Sequence, residues 1–419
     1  MISRFRFNIS FYESFINFFR IVTFNKNQSF DKSLKIELSK IYKNSNFFFF
    51  DHGRTAFYEI LNQIKKKTNK KKILINSFTL FEIVNVIIYS GFIPIFIDVK
   101  KNSFQTEVDL NKLNRNLDDI AAILITHLNG VNLNIINLKK QIEDHNKTNE
   151  KIYLIEDCAV ALGAKINNKD VGTFGDYSFL SFNIMKNITS YTGGVLIDNK
   201  KEVINISEQK YKELNKVDIF KKILFVLIIQ LLNTRVLFPL FFKIIKYSYK
   251  FSINFFLKKY RTDFEVTIEK KFPDKFSYFM HPFQKKILLP QFIDLKKKQL
   301  ARIHKSELYF NDLKKVKYLH FPQHEFNENN IFLDFPIICE SLNTKKKLFD
   351  YLIKKKIDIK GYYYKNCAEE NIYNFTNDQC LNSSDIANNI LMLPVHEGIE
   401  QYHQNQIISE ITNFFSFNK

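Results

Sequence analysis

The chain has 419 residues, 45% of them hydrophobic, and a formal net charge of +19. That length and apolar content furnish one large core or two ordinary ones and exclude wholesale disorder. The positive charge sits in short lysine runs at 65–67, 70–72 and 354–356. It comes without zinc-ligand spacing, an RRM signature or a continuous basic helix. It therefore reads as solvated helix ends rather than a nucleic-acid interface, and leaves anionic small substrates open. The excess of Phe, Ile, Asn and Lys follows AT-rich codons.

In chain order, residues 1–46 read as a helical segment. Their early arginines and aromatics lack the apolar core and small-residue cleavage site of a signal peptide. Apolar, β-branched or aromatic runs then predict strands at 47–50, 73–76, 93–98, 121–126, 152–157, 177–182 and 193–198. Helical patterns cover 55–67 and 79–91, the second stopped by Gly91. Strands alternating with helices imply a large, mostly parallel seven-stranded α/β sheet covered on both faces over 47–215. Ligands of such sheets lie beyond the carboxyl ends of the strands. Asp157, Ser181 and the turn after Phe50 fall at those ends.

The pattern then changes to a basic apolar helical insert over 216–280. Residues 219–262 carry nine Lys or Arg and no Asp or Glu. The unbroken apolar run 223–229 is too short to span a bilayer, and Asn233, Thr234, Arg235 and Pro239 interrupt its continuation. Two readings stand: helices buried against the protein or a subunit, and a peripheral patch on an anionic membrane. Residues 281–419 predict a long helix over 283–313, then strand 330–338, helix 344–356, strand 357–364, and a turn and helix over 393–415. They make a smaller C-terminal α/β domain. Four separated cysteines (Cys158, Cys339, Cys367 and Cys380) form no CxxC pair and suit a reduced, cytoplasmic protein.

A strand-end carboxylate (Asp157), a serine (Ser181) and a lysine (Lys186) occur in the order that pyridoxal phosphate binding uses. A lysine amine forms a Schiff base with the cofactor, and a carboxylate pairs with its pyridinium nitrogen. The phosphate takes hydroxyls and N–H groups at a helix N-terminus, and Gly53, Arg54 and Thr55 offer such a start. Taken singly, each residue fits a blander role: a strand end, a solvated lysine, an ordinary helix cap.

Together these segments resemble the DegT/DnrJ family of nucleotide-sugar aminotransferases, of the type I fold seen in aspartate aminotransferase. The motifs that carry the resemblance are "HGRTAF", "INSFTLFEIVNVIIYSGFIPIFIDV", "ITHLNG", "IEDCAVALGA" and "VGTFGDYSFLSFNIMKNIT…GG". It runs over about 47–198, resumes over about 282–313, and returns at "LPVHEGI". The resemblance implies Lys186 as the Schiff-base lysine and later the acid and base of the proton shift. It implies Asp157 as the pyridinium partner, and Ser181 and Thr55 as phosphate ligands with the Gly53–Arg54–Thr55 backbone. The chain departs from the family at Val160, usually glutamine, and at Leu80, often an aromatic ring. It departs again at Tyr191-Thr192, usually Gly-Glu or Gly-Asp. Leu80 and Val160 would flank the cofactor by apolar contact.

The implied function is amino transfer, with glutamate as donor, to a keto group of a nucleotide-linked deoxy sugar in surface-polysaccharide or related glycan biosynthesis. A homodimer is implied, and peripheral membrane contact through 219–262 is the one lipid contact considered. The alternative is a catalytically degenerate protein of this fold with a regulatory or membrane-associated scaffold role. His127 and His396 read as structural, and His52 lies beside the phosphate turn.

Overall fold

The computed structural model describes residues 1–25, 29–106, 108–113, 117–128, 134–201, 204, 206, 210–251, 266–322, 326–361, 364–373 and 379–417. Helix α1 (Phe11–Thr23) opens with a capping box in which Ser10 and Glu13 satisfy each other's N–H groups. Helix α2 (Asp31–Ile41) comes next. The main sheet then begins with β1 (Asn46–Phe50), α3 (Gly53–Lys65), β2 (Lys72–Asn76), α4 (Phe81–Tyr89), β3 (Ile93–Ile97) and β4 (Ile120–Thr126). It continues through α5 (Ile135–His145), β5 (Tyr153–Asp157), β6 (Tyr177–Ser181) and β7 (Gly194–Asp198). Gly91, two residues beyond α4, has φ +80°, a left-handed turn that a side chain would strain.

The seven expected strands are present, and two-residue strands β8 (Lys212–Glu213) and β9 (Tyr278–Phe279) extend the sheet to nine, in the order β8-β9-β1-β7-β6-β5-β4-β2-β3. Strands β6, β5, β4, β2 and β3 run parallel, whereas β7 is antiparallel to both its neighbours, β1 and β6. Strand residues alternate between two cores, as a two-sided sheet requires. Leu74, Ile123, Ile125 and Leu154 join α2 and α5 on one face. Ile73, Ile75, Ala122, Leu124 and Ile155 join α3 and α4 on the other.

The insert holds α6 (Lys216–Leu232) and α7 (Phe238–Phe251), while 252–265, including part of the expected basic run, lie outside the described residues. The long helix expected over 283–313 divides at Pro290 into α8 (Pro282–Leu288) and α9 (Gln291–Leu313), because proline has no N–H to continue the ladder. A four-stranded antiparallel sheet closes the chain. It contains β10 (Leu319–His320), β11 (Asp334–Cys339), β12 (Lys360–Gly361) and β13 (Ile390–Pro394), in the order β10-β11-β13-β12. Helices α10 (Leu342–Lys354), α11 (Leu381–Asn389) and α12 (Gln401–Phe417) accompany it. The strand expected over 357–364 shrinks to two residues, with 362–363 outside the described residues, and β13 replaces part of what reads as a turn. The chain start reaches this unit: Arg4 donates to Asp358 at 2.6 and 2.8 Å, with both side chains buried.

Candidate active site

Asp157 ends β5, Ser181 ends β6, and Gly53 opens α3 two residues after β1. Gly194, the first residue of β7, pairs with Phe50 on one side and Ser181 on the other, so these ends meet at one edge. The approach is close. A Cβ on Gly194 would lie 2.2 Å from the His52 carbonyl, and one on Gly53 would lie 3.1 Å from both Ser181 Cβ and the Leu180 oxygen. The first turn of α3, headed by Gly53 and Arg54, is thus wedged beside Ser181, where a helix end presents N–H groups to an anion.

Lys186 lies five residues beyond β6 in a pinned loop. Its N–H bonds the Asn183 carbonyl, Asn8 donates its side-chain amide to the Lys186 carbonyl, and Gln291 clasps both backbone groups of Thr189. Burial pushes the Lys186 amine down to about 8. Asp157 opposes the fall, while Lys360 and Arg54 add to it. Asp157 is itself buried, which raises its carboxyl above the ordinary range against the Ala159 N–H at 2.9 Å, Lys186 and His127. Arg54 lies 4.1 Å over the Phe276 ring and 3.5 Å from Glu82. The Thr55 hydroxyl donates to the Phe276 carbonyl at 2.5 Å, a bond it must release to reach a phosphate. Leu80 and Val160 both border one apolar cluster with Phe78 and Phe104.

Beside this turn stand two groups to which the sequence assigns no role, Asp51 and Lys222. Asp51 is buried, accepts the Thr192 hydroxyl at 2.6 Å, and lies 2.7 Å from His52 Nδ1 and 3.5 Å from Lys222 Nζ. Burial would raise its carboxyl, but His52, Lys222 and Thr192 hold it at about 2. Burial lowers the His52 imidazole despite Asp51. His52 and the Lys222 amine thus both face the buried carboxylate. Asp51, a lone acid after four phenylalanines, carries a weak signal; Lys222, 171 positions away, carries none. Tyr191, where the family usually has glycine, has φ +69°. Its buried ring and the Asn17 amide, 3.3 Å from its hydroxyl, hold a conformation that glycine adopts without cost.

Glu156 turns away from the site. Its Oε1 accepts the N–H groups of Phe174 and Gly175 at 2.6 Å, and its Oε2 accepts that of Gly172 at 2.8 Å and lies 3.1 Å from His127 Nε2. His127, Glu156 and Cys158 place ligand atoms within 4.8 Å of one another. The saturated carboxylate makes them a structural knot, as expected for His127. Glu156→Gln, which sets an amide N–H₂ against N–H donors, is expected to cost about 2–4 kcal/mol in urea unfolding. His396 also stays structural. It is buried, its Nδ1 accepts the Gly398 N–H, its Nε2 lies 3.1 Å from the Ser3 carbonyl, and burial pushes it down to about 3. Gly130 of the expected His-x-x-Gly strand end lies outside the described residues.

The residues fit pyridoxal phosphate on two observations: a half-buried lysine of lowered pKa in electrostatic reach of a strand-end carboxylate, and a glycine-led helix start that only a small residue fills. Known proteins point the same way. GDP-perosamine synthase of Vibrio cholerae is 34% identical over 140 residues, 33% of this chain and 36% of that protein. The chain thus matches about a third of the length of that relative. Helicobacter pylori PseC, an aminotransferase involved in the biosynthesis of pseudoaminic acid, superposes with a TM-score of 0.70 at 16% identity, over 97% of this chain and 96% of its own. Spr1654 of Streptococcus pneumoniae, solved in its PMP form, gives 0.72 at 16% identity over the whole of both chains. The model of the DegT/DnrJ/EryC1/StrS aminotransferase family matches residues 49–213 and 265–412. The chain belongs to the DegT/DnrJ/EryC1/StrS aminotransferase family.

Proposed function

We propose that this protein is a pyridoxal-phosphate-dependent aminotransferase that moves an amino group, with glutamate as donor, onto a keto group of a nucleotide-linked deoxy sugar. The observation that carries this reading is the half-buried Lys186 amine in electrostatic reach of Asp157, at the strand ends that also hold Gly53, Arg54 and Ser181. The named relative supports the sugar-nucleotide substrate, and glycan biosynthesis is its setting.

In this reading the first turn of α3, with Arg54 and Ser181, binds the phosphate, and Thr55 joins if its hydroxyl leaves Phe276. Leu80 and Val160 form the apolar walls, and Asp157 carries the charge opposite the ring nitrogen. Pyridoxal phosphate, when bound, supplies an electron-withdrawing ring that takes up the electron pair of an ionising C–H bond. Lys186 holds the cofactor covalently and, once released, carries the proton at its Nζ. An amine held near 8 does this at neutral pH, where an ordinary lysine stays charged.

Assembly as a homodimer and the division at 1–46, 47–215, 216–280 and 281–419 belong to the same reading. Separate apolar clusters for the main sheet and the C-terminal sheet support treating those two sheets as separate units. Among the described residues no helix is long and apolar enough to cross a membrane.

The test is 2-oxoglutarate release from glutamate in the presence of GDP- or UDP-linked keto-deoxyhexoses. Turnover with one of them is the expected result. Cofactor binding without turnover on any of them would favour a silent protein, the reading that Leu80 and Val160 invite.

A further inference from the structure

The family match leaves out residues 1–48 and 214–264, and parts of these two segments pack on each other. Ile21 and Phe24 share a cluster with Ile219, Ile223 and Val226, and the Phe18 and Phe220 rings lie 4.5 Å apart. Gln230 donates to the Ile9 carbonyl at 2.7 Å, and Lys216 donates to the Phe24 carbonyl at 2.5 Å. On its inner side the layer reaches the site through Lys222.

Its outer side is apolar where a water-facing helix carries polar residues. On α1, Phe11, Phe15, Phe19 and Val22 are exposed at helical spacing; on α6, Val217, Leu224, Ile228 and Leu231; on α7 and the turn leading into it, Val236, Leu240, Ile244 and Tyr247. The α1 stripe is continuous with α6. Rings run from Phe11 to Phe15, Phe19, Phe18 and Phe220 at centroid spacings of 6.4, 5.1, 5.3 and 4.5 Å.

Arg20, Lys221, Arg235, Lys243 and Lys246 are exposed on the same helices and the turn between α6 and α7, Arg235 lying 3.7 Å from Glu400. The three helices hold two acids, Glu13 and Asp218. Glu13 is engaged by Ser10, and Asp218 by Asn215 with Lys221 3.9 Å away. A second copy would set basic surface against basic surface, whereas an anionic bilayer complements both the stripes and the charge. We infer that α1, α6 and α7 form a docking surface that seats the protein on an anionic phospholipid bilayer. The apolar stripes enter the acyl boundary, and the lysines and arginines lie at the level of the lipid phosphates.

Flotation of the full, cofactor-loaded chain with vesicles tests this. Binding is expected to phosphatidylcholine vesicles containing phosphatidylglycerol, weakening with salt, and not to phosphatidylcholine alone. Two variants, Phe15→Ser/Phe19→Ser/Ile228→Ser and Lys221→Glu/Arg235→Glu, are each expected to lose about tenfold or more in partitioning. Their cofactor spectrum and thermal melting should be retained. If the triple variant fails to fold, the charge-reversal variant decides alone. Absent binding of the parent chain, or undiminished binding of both variants, overturns the proposal. So does light scattering in which the triple variant turns a dimer into monomers while the parent chain ignores vesicles: the face would then belong to a second copy.

Discussion

Lys186→Arg is expected to abolish amino transfer, by at least about a thousandfold, while preserving the fold and the local positive charge. Burial holds the lysine at about 8, so about a tenth of its amines are neutral at pH 7, against well under a thousandth for a solvated lysine. Arginine keeps a cation there but cannot deprotonate. The cofactor-free protein should capture pyridoxal phosphate faster as pH rises through about 8, and the arginine variant should show no such limb. Retained turnover in the variant would move the chemistry to another amine. The same shift sets the sign for stability. Between about 8 and the ordinary lysine value the unfolded chain binds more protons, so this group's contribution to stability grows as pH rises across that window. Below it, the buried ammonium is a constant cost.

Asp157→Asn carries the second large effect. The amide keeps an oxygen for the Ala159 N–H but loses the charge that faces Lys186. Turnover is expected to fall about 10²–10³-fold, because the cofactor ring loses its fixed anion. Asp157 is the attraction that holds the Lys186 amine up, so its removal should shift the capture limb to a pH below 8. A limb that stays at 8, with turnover intact, would place the partner carboxylate elsewhere.

The strands that build the site were legible because a parallel sheet buried on both faces must be largely apolar along its length, as β4 is and as β5 is up to its terminal Glu156 and Asp157. Their carboxyl ends, and so the places of Asp157, Ser181 and Gly53, came from that pattern. The two-residue strands β8 and β9 are too short to show a period. Strand β13 sits against "LPVHEGI", whose turn residues masked it. The break at Pro290 was written in the residue itself. Side-chain commitments were not legible: Thr55 suits a phosphate by type, yet its hydroxyl serves Phe276. The Asp51–Lys222 contact joins the helix start to an insertion helix across 171 positions, which no local pattern encodes.

The central claim is that Lys186 is the covalent anchor of the cofactor. Its most direct test is incubation of the purified protein with pyridoxal phosphate, borohydride reduction, proteolysis and peptide mass mapping. The account predicts a phosphopyridoxyl group on the peptide containing Lys186 and on no other lysine, with the visible absorption of the bound cofactor lost on reduction. Unlabelled Lys186 in folded protein, or a label on a different lysine, would contradict it.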